Sequence, residues 1–210
     1  RLRKGDVCVG CIVWLPPRKS HDDPVLCNRP DCCGRVALEP EGYDHPVVVL
    51  KIWQSINSNI LGDLVCTIAC ATTFTNTSLD VYRAQRLRKP HYRASLPILD
   101  ATSKSTKDDP GTVQNLVLEK GNMRKQSYVR LDHTYEVPLS MLTQYSGGRA
   151  YITRLSEASY ITLIEKLGLE PEIFEITATL SKTTKQRLSA LTNAARRSQN
   201  ATRLPCTAEI

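Results

Sequence analysis

The stretch Gly42-Tyr43-Asp44-His45-Pro46-Val47-Val48-Val49-Leu50-Lys51 places a histidine and a proline directly before an unbroken apolar run. A β-branched run without polar alternation is typical of a strand that is buried on both faces. Because proline cannot donate to a sheet ladder, we expect Pro46 at the first residue of this strand. His45 is then held at the rim of the sheet, where a titratable group can meet a ligand. The simpler alternative is a histidine whose side chain only forms a hydrogen bond within a nearby turn.

Size and composition indicate a folded protein. The chain has 210 residues, of which 41% are apolar, enough for one large domain or for a compact domain with an appendage. No apolar stretch approaches the roughly 18 residues of a membrane span, so we expect a soluble protein, not a membrane protein, in the cytoplasm or nucleus. The chain begins with Arg1, as a fragment or a processed form would, so removal of a leader peptide remains an alternative.

Short apolar segments without regular crossover helices favour a mainly β fold, a small antiparallel barrel, over a doubly wound sheet. We assign this barrel to residues 1–150 and a C-terminal helical extension to residues 151–210. The predicted strands are residues 6–15, 47–53, 64–74, 94–99, 116–118 and 128–131, with a further short element starting at 137. A long loop rich in Pro, Asp, Cys and Gly separates the first two strands.

Two helices are predicted in the extension. Ser156 is a plausible N-cap, and Gly168 stands where a helix is commonly terminated in the left-handed conformation. A second, longer helix is expected to start at Pro171 and to carry an apolar stripe through Ile173 and Ile176.

The order of three strand-linked motifs resembles the MazF/PemK/Kid endoribonuclease toxins. A Gly5-Asp6-Val7 segment opens the first strand, the His45-Pro46 dipeptide opens the second, and Thr72 and Thr73 close the third. The family has a Gly-Asp strand, an Arg-Pro-hydrophobic strand and a third strand that ends in threonine. Residues 128–133, which end in Asp132-His133, resemble its later strand, which runs into an Asp-Gln pair. The chain is also similar to uncharacterised fungal relatives of that barrel.

The resemblance implies an SH3-like barrel, a homodimer and metal-independent cleavage of single-stranded RNA. In the family the arginine of the Arg-Pro dipeptide and the terminal threonine act in catalysis. Here His45 stands in the place of that arginine, whereas Thr72 or Thr73 matches the threonine. An imidazole does not reproduce the permanent bidentate charge of a guanidinium, so the family's activity does not transfer directly.

A ribonuclease could nevertheless use His45 as the base that removes a ribose 2′-OH proton, with Thr72 donating to the phosphate and Arg130 supplying positive charge. A basic loop is the candidate RNA-binding segment, because residues 83–93 hold five Lys or Arg without an acid, and Tyr82 and Tyr92 provide two aromatic rings for base stacking. Its candidate contacts are Arg83, Arg86, Arg88, Lys89 and Tyr92, of which the Arg86 and Arg88 guanidiniums are alternatives to that of Arg130. A solvated loop is the simpler interpretation.

The cysteines allow a zinc site without specifying one. Cys8, Cys11, Cys27 and the Cys32-Cys33 pair could bind an ion, with His21 or His45 as a further ligand. Residues three apart in a strand point to opposite faces, so Cys8 and Cys11 could share an ion only at a bulge, and the spacing of the other three is not that of a standard knuckle. We therefore expect reduced thiols and no metal or other cofactor.

Three functions remain open from the sequence. The first is the metal-independent endoribonuclease. The second is a noncatalytic module that uses the same groove to bind RNA or a protein. The third is a small-molecule enzyme whose groove has been remodelled by the cysteine-containing loop, for which no residue pattern identifies a substrate.

Overall fold

The computed structural model describes residues 5–20, 22–29, 32–54, 64–73, 95–100 and 115–180, together with Leu2 and Val81. The chain divides into two compact units, Arg1–Phe174 and Glu175–Ile210. Of the second unit the structure describes residues 175–180, of which 177–180 are helical. No helix among the described residues has the length and hydropathy needed to cross a bilayer.

The first unit is mainly β, as predicted, and its described residues include nine strands and the α-helix Glu157–Leu167. In chain order these elements are β1 (Ile12–Leu15), β2 (His45–Gln54), β3 (Leu64–Thr72), β4 (Ser95–Leu99), β5 (Leu116–Lys120), β6 (Ser127–Arg130), β7 (Tyr135–Pro138), β8 (Thr143–Gln144), β9 (Arg154–Leu155) and α1 (Glu157–Leu167). The hydrogen-bonded strand order is β8-β1-β2-β3-β6-β4-β5-β9, with β7 paired to β3. The sheet is open, with β8 and β9 at its two ends.

The β-branched run that follows Pro46 forms the central strand β2. The strand begins at His45, one residue before the predicted start, because His45 pairs with Leu15 of β1. Its register against β3 shifts between Val49 and Lys51, which is the signature of a β-bulge at Leu50. The carbonyl of Leu50 accepts a hydrogen bond from the hydroxyl of Tyr160, so the bulge is also the point where α1 is fastened to the sheet.

Alternate residues of β2 and its neighbours build the main core. Val48 and Leu50 lie in one buried cluster with Ala69 of β3 and Val129 of β6. The apolar side of α1 completes this cluster with Tyr160, Leu163 and Ile164, all of them fully buried. A fully buried side chain of this size stabilises a fold by roughly 1.5–3 kcal/mol, so the helix contributes to the stability of the sheet and is not a detached appendage.

The two ends of α1 are as predicted. The hydroxyl of Ser156 accepts a hydrogen bond from the backbone N–H of Ser159, which is the N-cap interaction. Gly168 has φ 66° at the C-terminal end, a left-handed conformation that glycine adopts without steric cost. The boundary that we placed between residues 150 and 151 stays a prediction.

The opposite face of the central strands is also buried. Val47 of β2 and Cys70 of β3 point away from the main core, yet they are 0% and 4% exposed. The cysteine-containing residues 22–29 and 32–43 join the sheet beside β7, because Cys27 forms an isolated bridge with Tyr135 of β7, and β7 pairs with β3. We call residues 22–29 and 32–43 the cysteine segment. It carries its own buried side chains, among them Tyr43.

The predicted second helix is wrong in its first part. Residues 169–176 have no helical structure, and Ile173 is 89% exposed. The ring of Phe174 lies under the guanidinium of Arg154, 3.7 Å from ring centroid to Cζ, and the N–H of Glu172 donates to the hydroxyl of Tyr160. These contacts hold residues 172–174 beside α1 and β9, and the N–H of Glu172 bonds to the tyrosine hydroxyl instead of to a helical carbonyl.

Candidate functional site

His45 follows a strained residue, Asp44, whose side chain is held by Trp14. Asp44, which precedes it, has φ 59°, a left-handed conformation that is uncommon for residues other than glycine. The carboxylate of Asp44 accepts a hydrogen bond from Nε1 of Trp14 at 3.2 Å. Such strain persists only where surrounding contacts impose it, and it is found often at functional sites.

The tautomer of neutral His45 follows from its hydrogen bond. Nδ1 lies 2.9 Å from the backbone carbonyl oxygen of Tyr43. A carbonyl oxygen can only accept, so Nδ1 carries the hydrogen and Nε2 keeps its lone pair. This is the arrangement that a histidine general base requires.

The register of β2 and β3, extended beyond its last pair, aligns Thr72 with His45. The register of β2 and β3 pairs Val47 with Cys70, and continuing it by two residues places His45 opposite Thr72. Residues directly opposite in an antiparallel pair have Cβ atoms about 4.5–5.5 Å apart on the same face. Both side chains are half-buried, at the point where β2 begins and β3 ends. Of the two candidate threonines, the register therefore selects Thr72.

Arg130 shares this face but is already engaged in an ion pair. The ladder of β3 with β6 pairs Thr72 with Tyr128, so Arg130 lies opposite Cys70, two residues along the same face. Its guanidinium donates to both carboxylate oxygens of Asp132, at 2.6 and 3.3 Å. Glu39 of the cysteine segment adds a longer contact at 3.9 Å.

The pair shifts both of its members toward their charged forms. Burial acts to raise the pKa of Asp132, but hydrogen bonding and attraction from Arg130 outweigh it, and the pKa lies below its usual value. Burial likewise acts against the charge of Arg130, and the bond to Asp132 more than offsets it, raising the pKa of the guanidinium. The charge of Arg130 is therefore paired with a carboxylate, and its predicted role as the positive charge of the site stays a prediction.

The proposed RNA-contacting residues of the basic loop lie outside the described residues. Arg83, Arg86, Arg88, Lys89 and Tyr92 belong to this group. Their role stays a prediction.

The cysteine segment brings together a second group of side chains, which we call the Cys3His cluster. It consists of Cys27, Cys32, Cys33 and His133. Their sulfur and ring nitrogen atoms all lie within 4.8 Å of one another. Three thiols and one imidazole are a ligand set that zinc takes in structural sites.

Sequence reasoning found only part of this cluster. The sequence pointed to the cysteines, with His21 or His45 as the histidine ligand. In the structure Nδ1 of His45 is hydrogen-bonded to the carbonyl oxygen of Tyr43, and His21 lies outside the described residues. His133 was missed as a ligand because it is 106 residues from Cys27, and only the pairing of the cysteine segment with β7 brings them together.

Cys8 and Cys11 are closer than strand geometry allows. Their sulfur atoms are 3.3 Å apart. The argument from strand alternation does not apply, because β1 begins only at Ile12 and Gly10, at φ 80°, forms a turn before it. Burial, together with the neighbouring Cys8, raises the pKa of the Cys11 thiol well above its usual value.

Comparison with known proteins adds no identification. No protein-family model, no curated protein and no solved structure matches this chain. The resemblance to the MazF/PemK/Kid toxins thus depends on the motifs quoted above, and it stays a prediction.

Proposed function

We propose that this chain is an SH3-like barrel of the MazF/PemK type that cleaves single-stranded RNA without a catalytic metal. The observation that carries the proposal is the arrangement of His45 and Thr72. An imidazole whose tautomer leaves Nε2 unprotonated stands opposite a hydroxyl, at the rim of the sheet. These groups are a base and a hydrogen-bond donor on one face, as phosphodiester transfer requires.

Contacts between the two ends of the open sheet support the barrel. Cys11, immediately before β1, forms an isolated bridge with Arg154 of β9. On either side of this bridge, Ile12 N–H donates to the carbonyl of Thr153, and Leu155 N–H donates to that of Gly10, each at 2.9 Å. The last strand of the order thus approaches the beginning of β1, as closure of a small barrel would require.

In the proposed reaction, Nε2 of His45 accepts the proton of a ribose 2′-OH. The 2′-oxygen then attacks the adjacent phosphorus, and the bond from phosphorus to the 5′-oxygen breaks. The hydroxyl of Thr72 donates to a non-bridging oxygen while negative charge accumulates there. The 5′-oxygen takes up a proton, returned from the imidazolium through water, and the products are a 2′,3′-cyclic phosphate and a 5′-hydroxyl.

Cleavage of end-labelled single-stranded RNA tests this proposal. We expect cleavage in Mg²⁺-free buffer, and a loss of about 10²–10⁴-fold in His45→Ala, the range expected for removal of a general base. Thr72→Val should lose about 10²-fold if its hydroxyl stabilises the transition state. Thr73→Val is the matched control, because the register places Thr72 and not Thr73 opposite His45. Full activity of folded His45→Ala would refute the mechanism.

A second candidate, a noncatalytic RNA-binding module, is favoured by the state of Arg130. A nuclease gains from an open cation at the phosphate, and here that cation is held by Asp132 at 2.6 Å. Binding of RNA by the wild-type chain without any cleavage would support the module. The homodimer that the family resemblance implies is compatible with both the nuclease and the noncatalytic module. Sedimentation equilibrium measures the oligomeric state directly.

A further inference from the structure

The Cys3His cluster has the size of a tetrahedral zinc site. Zinc binds thiolate sulfur at about 2.3 Å and imidazole nitrogen at about 2.0 Å, so the ligand atoms of a tetrahedral site lie about 3.6–3.8 Å apart. In the cluster all four ligand atoms lie within 4.8 Å of one another, and Cys32 Sγ is 3.3 Å from Nδ1 of His133.

One part of the cluster is formed by a turn inside the cysteine segment. Leu26 bridges to Ala37, and the N–H of Cys27 donates to the carbonyl of Val36 at 3.0 Å, so the segment folds back on itself. Gly34 and Arg35 both have positive φ, 66° and 64°, and they form the turn that follows the cysteine pair. This turn is what brings the sequence-adjacent cysteines back toward Cys27.

The turn also presents backbone donors to a sulfur atom. The N–H groups of Val36 and Arg35 bond to Cys33, in addition to contacts from the other two thiols of the cluster. Backbone N–H groups directed at a thiolate are suited to a metal-bound cysteine, because the bound sulfur remains negatively charged.

The histidine is contributed by the connection between β6 and β7. Asn28 N–H donates to the carbonyl of Thr134, and the hydroxyl of Thr134 donates to Oδ1 of Asn28 at 2.8 Å. These bonds fasten the connection to the cysteine segment directly beside Cys27. The backbone N–H of His133 donates to the carboxylate of Asp132 at 3.1 Å, and Nδ1 of its ring lies 3.3 Å from Sγ of Cys32.

We propose that the Cys3His cluster binds one zinc ion and that this ion fastens the cysteine segment to the β6–β7 connection. A disulfide would use two of the three cysteines and leave the third thiol and the histidine without a role. A zinc ion uses all four side chains, because three thiols and one imidazole complete a tetrahedral site. The ion is structural: four protein ligands fill its coordination sphere and leave no open position for a substrate.

Metal analysis of the full chain, purified under reducing conditions and passed over a desalting column, tests the proposal. We expect one zinc per chain, and we expect Cys33→Ser to retain less than a tenth of it. The matched control is Cys8→Ser, which changes a half-buried thiol outside the cluster and should keep the full amount. Cobalt titration of the wild-type chain gives a second measurement that needs no variant. We expect thiolate-to-cobalt charge-transfer bands and the visible absorption spectrum of tetrahedral cobalt.

Three outcomes would overturn the site. The first is reduced wild-type protein that retains no zinc and gives no thiolate–cobalt bands. The second is Cys33→Ser with the zinc content of the wild type, or Cys8→Ser with none. The third is a disulfide within the cluster in protein isolated without reductant and resistant to zinc loading. None of these results depends on RNA cleavage, so the site and the proposed nuclease are tested separately.

Discussion

The ion pair between Arg130 and Asp132 gives a sharp test of how the candidate site is held together. In Asp132→Asn one charge is removed with little change of shape, and the guanidinium is left half-buried without its carboxylate. The two side chains are only 21% and 12% exposed, and they share two hydrogen bonds. Breaking a fully buried pair costs about 3–5 kcal/mol and an exposed one less than about 1 kcal/mol, so we expect a loss of about 2–3 kcal/mol.

Glu39→Gln is the matched control for this experiment. Glu39 approaches the same guanidinium, but at 3.9 Å and with its side chain 64% exposed, so its loss should cost less than about 0.5 kcal/mol. Urea unfolding measures both variants, and the midpoint of Asp132→Asn should fall by about 1 M for an m-value of about 2–3 kcal/mol/M. Equal midpoints for the two variants would refute the assignment of Asp132 as the principal partner of Arg130.

The same variant tests the role of Arg130 in RNA binding. Loss of the carboxylate frees one cation on the face that holds His45 and Thr72. If RNA occupies this face, affinity should rise at low salt, and the slope of log K against log salt should steepen by about 0.7, the value for one added contact to a single strand. An unchanged slope in folded protein would place the RNA elsewhere.

Three further predictions concern the frame around the site. Tyr160→Phe should lower the free energy of unfolding in urea by about 2 kcal/mol, because its hydroxyl donates to the bulge carbonyl of Leu50 and accepts from Glu172 N–H. Burial raises the pKa of Cys66 to about 12, so this thiol ionises at lower pH in the unfolded chain than in the folded one. The free energy of unfolding should therefore fall above about pH 9, by up to about 1.4 kcal/mol per pH unit, and it should fall less steeply in Cys66→Ala. Gly121→Ala should cost more than about 2 kcal/mol by thermal unfolding, because Gly121 has φ 85° and an added Cβ would lie 2.7 Å from a backbone oxygen.

Local signals in the sequence were sufficient for the elements whose determinants are local. The run after Pro46 predicted β2 because β-branching and the absence of polar alternation act within a few residues. The ends of α1 were predicted from Ser156 and Gly168 for the same reason. The first part of the second helix was predicted wrongly because its apolar spacing competed with tertiary contacts of Phe174 that no local pattern records.

The site divides in the same way. The antiparallel pairing of β2 with β3, whose register aligns His45 with Thr72 when it is extended by two residues, connects adjacent strands; the joint role of the two side chains stays a prediction. The partner of Arg130 lies two residues further along the chain, but recognising it requires the bend that turns Asp132 back toward the guanidinium. His133 joins the cysteines only through a bridge between segments far apart in the chain, so residue spacing could not reveal it.

The cysteine segment connects the proposed metal to the proposed base. Tyr43 stands at its end, where the hydroxyl accepts a hydrogen bond from Val25 N–H and the carbonyl oxygen fixes Nδ1 of His45. A zinc ion that fastens this segment therefore also holds the acceptor that sets the tautomer of the imidazole. Chelation should then lower cleavage without any metal touching RNA, and one equivalent of zinc should restore it whereas Mg²⁺ should not. Restoration by Mg²⁺ alone would point instead to a metal in the reaction itself, and the base mechanism of His45 would have to be abandoned.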